Sequence, residues 1–120
     1  MMILALPFPD KALWPNGRPH FMVKAREVKK HREWASWATI QARGETKPVF
    51  APEQRFAITI TVHPKPRGPV PDADNCIAAA KAYLDGIAPQ LGVNDRQFDA
   101  PTVTFAGPRS GQFVIEVRPV

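Results

Sequence analysis

A chain of 120 residues with 44% hydrophobic and 22% charged side chains has the size and composition of one globular domain and leaves no room for a second. Sixteen Lys and Arg against eleven Asp and Glu give a net charge of +5, which makes a polyanion the leading class of partner. One cysteine excludes an internal disulfide and a cysteine-cluster zinc site, and no apolar run is long enough to span a bilayer, so a cytoplasmic protein is expected.

The opening MMILALPFP lacks the basic flank and cleavage site of a signal peptide. Ile3 to Leu6 therefore read as a first strand that stops at Pro7, where the ladder loses an N–H. Residues 7–20 carry Pro7, Pro9, Pro15, Pro19 and an Asn16-Gly17 pair, the chemistry of a loop. From Met22 to Arg43, Val28, Ala35, Ala38 and Ala42 recur at helical spacing, Trp34 and Ile40 widen the stripe, and Gly44 stops the helix. Its flanks hold Lys24, Arg26, Lys29, Lys30, His31, Arg32 and Arg43, and Trp34 and Trp37 are read as core or dimer contacts. Phe56, Ile58, Ile60 and Val62 then alternate with Ala57, Thr59, Thr61 and His63, the period of a half-buried strand. HPKPRGPVP at 63–71 leaves the sheet as an extended cationic loop. A second helix follows, buried along Ile77, Ala80, Leu84, Ile87 and Leu91, with Asp72 or Asp74 as its cap and Pro89 or Gly92 near its end. Thr102–Phe105 and Phe113–Val117 flank GPRSG at the spacing of a hairpin. The order β-α-β-α-β-β predicts a single α+β two-layer domain over residues 1–120, with both helices on one face of a mixed sheet.

Charge is segregated along this order. Residues 11–43 hold eight basic and two acidic side chains, and residues 72–100 hold five acidic and two basic. Within the acidic half, Asp72-Ala73-Asp74-Asn75 places two carboxylates at one helix start, where one cap suffices and the second is repelled unless a cation neutralises the pair. Magnesium, with manganese as a substitute, suits oxygen ligands of this kind and takes one or two carboxylates together with substrate phosphate. Asp95 completes the set if the chain returns along the helix nearly extended. Positions 74, 81 and 85 fall on one helical stripe, so Lys81 either pairs with Asp85 or aims a cation at phosphate. Acidic metal ligands inside a basic protein are what phosphodiester hydrolysis requires. His20, His31 and His63 have no metal-binding or nucleophile-activating spacing. Arg18, His20, Lys24, Lys65 and Arg67 are the candidate phosphate contacts, on loops and helix ends near the acidic cluster.

The block Asp72-Ala73-Asp74-Asn75, the helix carrying Lys81 and Leu84-Asp85-Gly86, and Leu91-Gly92-Val93-Asn94-Asp95-Arg96-Gln97 resemble the RusA family of Holliday junction resolvases. The N-terminal LPFP and the Pro15-Asn16-Gly17-Arg18-Pro19-His20 loop add to the likeness, which spans nearly the whole chain. The resemblance implies that Asp72, Asp74 and Asp95 are the catalytic, magnesium-binding acids and that Lys81 is the motif lysine. It also implies a homodimer that nicks a four-way DNA junction symmetrically. Two departures stand out. Lys81 comes six residues after Asn75 rather than three, and Asn94-Asp95 replaces a pair of consecutive acids. A non-catalytic DNA-binding or phage structural protein with the same cationic surface is the alternative, and a nuclease preferring flaps or RNA shares all of these residues.

Overall fold

A computed structural model describes residues 1–120. Alternation along the strands decides which face of the sheet is buried. In β2 (Phe56–His63), Phe56, Ile58, Ile60 and Val62 are each at most 1% exposed. Phe113, Ile115 and Val117 of β4 (Gln112–Pro119) and Leu4 and Leu6 of β1 (Met2–Pro7) extend the same apolar layer. Threonine, glutamate and small residues fill the opposite face, as expected of a sheet covered on one side. No helix is long and apolar enough to cross a membrane.

The four strands are ordered β1-β4-β2-β3, with β3 spanning Thr102–Phe105. β4 runs antiparallel to both β1 and β2, and β3 runs parallel to β2, so the sheet is mixed. The expected hairpin between the last two strands does not form: β2 lies between them. The cause is the crossover from β2 through the helices, which returns the chain to the outer side of β2 in parallel register. β1 also runs through Pro7 rather than stopping before it, because it is an edge strand whose outward side needs no N–H.

Helix α1 (Phe21–Arg43) ends at Gly44, whose φ of 85° and N–H bond to the Ile40 carbonyl close its last turn. Its buried stripe is Glu27, His31, Ala35 and Thr39; of the apolar set expected, Ala35 is fully buried and Ala38 packs partly buried against the core. Burial of the stripe's polar groups is tolerated where hydrogen bonds satisfy them, and Thr39 Oγ1 donates to the Ala35 carbonyl at 2.7 Å while His31 Nδ1 meets the Glu27 carbonyl at 2.7 Å. His31 therefore does not belong to the cationic flank, and Trp37, 65% exposed, is not a core residue.

The expected second helix is two. α2 (Ala73–Ala79) and α3 (Lys81–Leu91) meet at Ala80, whose N–H is shared between the Cys76 and Ile77 carbonyls. α2 packs towards β3 and α3 against α1, so the two halves follow different partners. The α1–α3 contact is close at Gly86, where an added Cβ would stand 2.2 Å from the Arg32 carbonyl oxygen. Tyr83, fully buried, donates its hydroxyl to the Pro7 carbonyl at 2.6 Å and ties α3 to the end of β1. Burial holds that phenol above its ordinary pKa.

Candidate metal and nucleic-acid site

The six aspartates divide into two groups. Asp10 accepts from the Ala12 N–H, Asp85 pairs with Lys81 at 3.4 Å, and Asp99 takes Arg55 Nε and Nη2 at 2.9 and 2.7 Å. Asp72, Asp74 and Asp95 are exposed, and their carboxylates have neither a hydrogen bond nor an ion pair. These three are the acids singled out by the sequence.

Their positions follow from the local fold. The proline-rich loop after β2 delivers Asp72 to the N-cap position of α2 in extended conformation, with its side chain not used as a cap, and Asp74 follows in the first turn. Asp95 opens a 3-10 turn over Asp95–Gln97. There the Asn94 side chain accepts from the Arg96 N–H, and Gln97 accepts from the Asn94 N–H and donates to the Ala51 and Gln54 carbonyls. That clamp fixes the Asp95 backbone and leaves its carboxylate free.

Asp95 returns only part of the way along the helix, beside Ile77 and Lys81 rather than the helix start. It lines a cleft of about 260 Å³ with Ile77, Lys81, Leu84, Asp85 and Asp99. Lys81 and Asp85 also face a second pocket of about 330 Å³, which Lys24 and Trp14 line from the other side. The structure thus brings Asp95, Lys81 and Asp85 together and adds Lys24, while Asp72 and Asp74 lie outside this lining. No three acidic, histidine or cysteine side chains converge into one metal-holding group, so the expected triad of Asp72, Asp74 and Asp95 is not assembled. The donor chemistry of the Asp72 and Asp74 pair fits magnesium held through one or two carboxylates, with water and phosphate completing its shell.

Asp72 reaches one further group. Cys76, buried one turn on, has its thiol pushed up to about 11, first by burial and then by the Asp72 charge. The thiol is therefore a packed apolar group rather than a nucleophile.

Of the candidate phosphate contacts, Lys65 and Arg67 line a groove of about 500 Å³ with Lys11, Asn16 and Pro71, the residue before Asp72. This groove shares Trp14 and Gly17 with the Lys24 pocket, so one basic track joins them. The loop that carries Lys65 and Arg67 is held by Arg109 Nη2, which donates to the Gly68 carbonyl, and by the Gly111 N–H, which donates to that of Pro64. Arg18 is exposed and lines none of these pockets. His20 caps α1 by accepting from the Met22 N–H at 3.2 Å, which gives it a structural task. Sequence reasoning missed Lys11, whose place in the groove depends on how the loop after β1 folds back.

Across its length the chain is 38% identical to an uncharacterized protein of Xylella fastidiosa, over 120 residues that span 98% of this chain and 76% of the Xylella protein. The two belong to one family. No model of a described protein family matches the chain.

Proposed function

We propose that this protein is a magnesium-dependent, structure-specific endodeoxyribonuclease of the RusA type, acting as a homodimer that nicks four-way DNA junctions in pairs. The observation that carries the reading is the division of the aspartates: the three that match the motif are the three whose carboxylates have no internal partner, and the basic groove reaches Pro71, the residue before the first of them. In a protein of net charge +5, exposed carboxylates without a task in the fold oppose phosphate binding unless a cation is meant to sit on them.

Asp72 and Asp74 would hold the magnesium ion, with Asp95 serving from the neighbouring cleft. Such an ion neutralises phosphate and lowers the pKa of an attacking water when bound. Lys65 and Arg67 fix the strand by its phosphates as it arrives at Pro71, and Lys24 and Lys81 offer cations on the next stretch of the track. A two-fold junction needs two equivalent cuts, which a two-fold dimer supplies.

A labelled four-way junction, incubated with magnesium or EDTA beside linear duplex, flap and RNA controls, tests the reading. Paired nicks confined to the junction are expected, with cleavage abolished by EDTA and by Asp74→Asn while a gel shift persists. Cutting of flaps or RNA instead would keep the site and replace the substrate. The non-catalytic DNA-binding or phage structural alternative draws on one observation, the lack of three converging ligands, and predicts junction binding with no cleavage under any divalent ion.

A further inference from the structure

The loop after β1 closes over the middle of α1 and leaves a cavity of about 240 Å³. Its lining joins two carboxylates, Glu27 and Asp10, the latter taken by the Ala12 N–H, and one indole, Trp34, to three lysines, Lys11, Lys30 and Lys65. The walls are fixed from within. His31, 1% exposed, accepts at Nε2 from the Asp10 N–H at 3.1 Å, so its ring proton sits on Nδ1 and is donated to the Glu27 carbonyl. The same ring lies 4.6 Å from that of Trp34.

Glu27 is 7% exposed, and its Oε1 stands 3.1 Å from Lys30 Nζ without receiving a hydrogen bond from any donor. Lys30 in turn rests 5.2 Å over the Trp34 ring. A bare anion is repelled by the buried carboxylate and a simple cation by the three lysines. The occupant must bring a flat face to the indole, N–H donors to the carboxylate and negative charge to the rim. A nucleobase with its flanking phosphates has all three.

We propose that this cavity receives one unpaired nucleobase of a bound DNA strand, stacked on Trp34 in the place that the Lys30 ammonium holds in the free protein. The base directs its donor edge to Glu27, and the adjoining phosphates meet Lys11 and Lys65. This rests on the nucleic-acid reading above and deepens it. The cavity shares Phe8, Lys11 and Lys65 with the groove that runs to Pro71, so a strand anchored here continues towards Asp72. Branch points expose unpaired bases and uninterrupted duplex does not, which makes the cavity a contact for branched substrates.

The test is binding of the whole chain, in EDTA, to a labelled oligothymidylate, an abasic oligomer of the same length and polyglutamate. The base-bearing strand binds more tightly than the abasic one by about fivefold or more, the low end of one base–aromatic stack. Trp34→Ala erases that difference and leaves abasic binding unchanged, whereas Trp37→Ala, which alters an exposed indole outside the cavity, preserves it. Should Trp34→Ala fail to fold, Trp34→Leu, which keeps apolar bulk without an aromatic face, erases the preference in its place. Equal affinity for base-bearing and abasic strands, a base preference that survives Trp34→Ala, or polyglutamate bound as tightly as DNA overturns the proposal. Because these assays contain no divalent metal, loss of the nuclease reading and loss of the base cavity are separate outcomes.

Discussion

Cys76 shows how a single side chain can report on the acidic site without taking part in it. Its thiol is buried in the first turns of α2 and pushed up from 9.0 to about 11, chiefly by burial and further by Asp72. The native state therefore keeps its proton where the unfolded chain loses it. The contribution to stability is complete below about pH 9 and falls as pH rises towards 11. In EDTA, the gap in urea midpoint between the wild type and Cys76→Ala is expected to shift against the wild type through that window. Alkylation of the native thiol is slow near neutral pH and rises on unfolding; rapid native alkylation there would refute the buried placement. That Asp72 and Asp74 were not both needed as caps was legible in the sequence, since one helix start takes one cap, and in the structure the Asp72 side chain makes no cap bond. His31 was not, since a histidine among lysines and arginines reads as one more flank residue until the Asp10 N–H is found pointing at its ring.

At the scale of elements, the strands that alternate cleanly were legible to the residue, β2 above all, because a two-residue period has one burial solution. The pairing of β3 was not. Four residues of Thr102–Phe105 carry no signal for a parallel neighbour some forty positions back, and the nearby GPRSG favoured the local partner. The break at Ala80 was hidden for a related reason. Ala78, Ala79 and Ala80 are the best of helix formers, and only the divergent partners of α2 and α3 separate the two rods. Gly86 marks where α3 meets α1: a methyl group placed there would stand 2.2 Å from the Arg32 carbonyl oxygen. Gly86→Ala, which improves helix propensity, is nevertheless expected to destabilise by about 1–3 kcal/mol or more, read as a lowered thermal midpoint by circular dichroism. An unchanged or raised midpoint would mean that the two helices are not in close contact.

For the whole molecule, basic side chains far apart in the sequence come together in space: Lys65, Arg67 and Lys11 line a groove that reaches Pro71, and Lys24 and Lys81 line the pocket that adjoins it. Binding that depends on such a groove must weaken steeply with salt. Replacing Lys65 and Arg67 together with alanine should flatten the slope of log affinity against log salt by about 2, near 0.9 for each duplex phosphate that is no longer neutralised, and weaken junction and linear duplex alike. A slope that does not change would remove both residues from the interface. The loop bearing this pair has a further consequence. Four of its residues, Pro64, Pro66, Pro69 and Pro71, have their φ angles fixed by their own rings, and Arg109 and Gly111 already hold the carbonyls of Gly68 and Pro64. The chain between β2 and α2 thus surrendered much of its conformational entropy when the protein folded. A strand that docks on Lys65 and Arg67 meets cations whose spacing is set beforehand, and the ordering cost that usually erodes the affinity of a charged loop is correspondingly small.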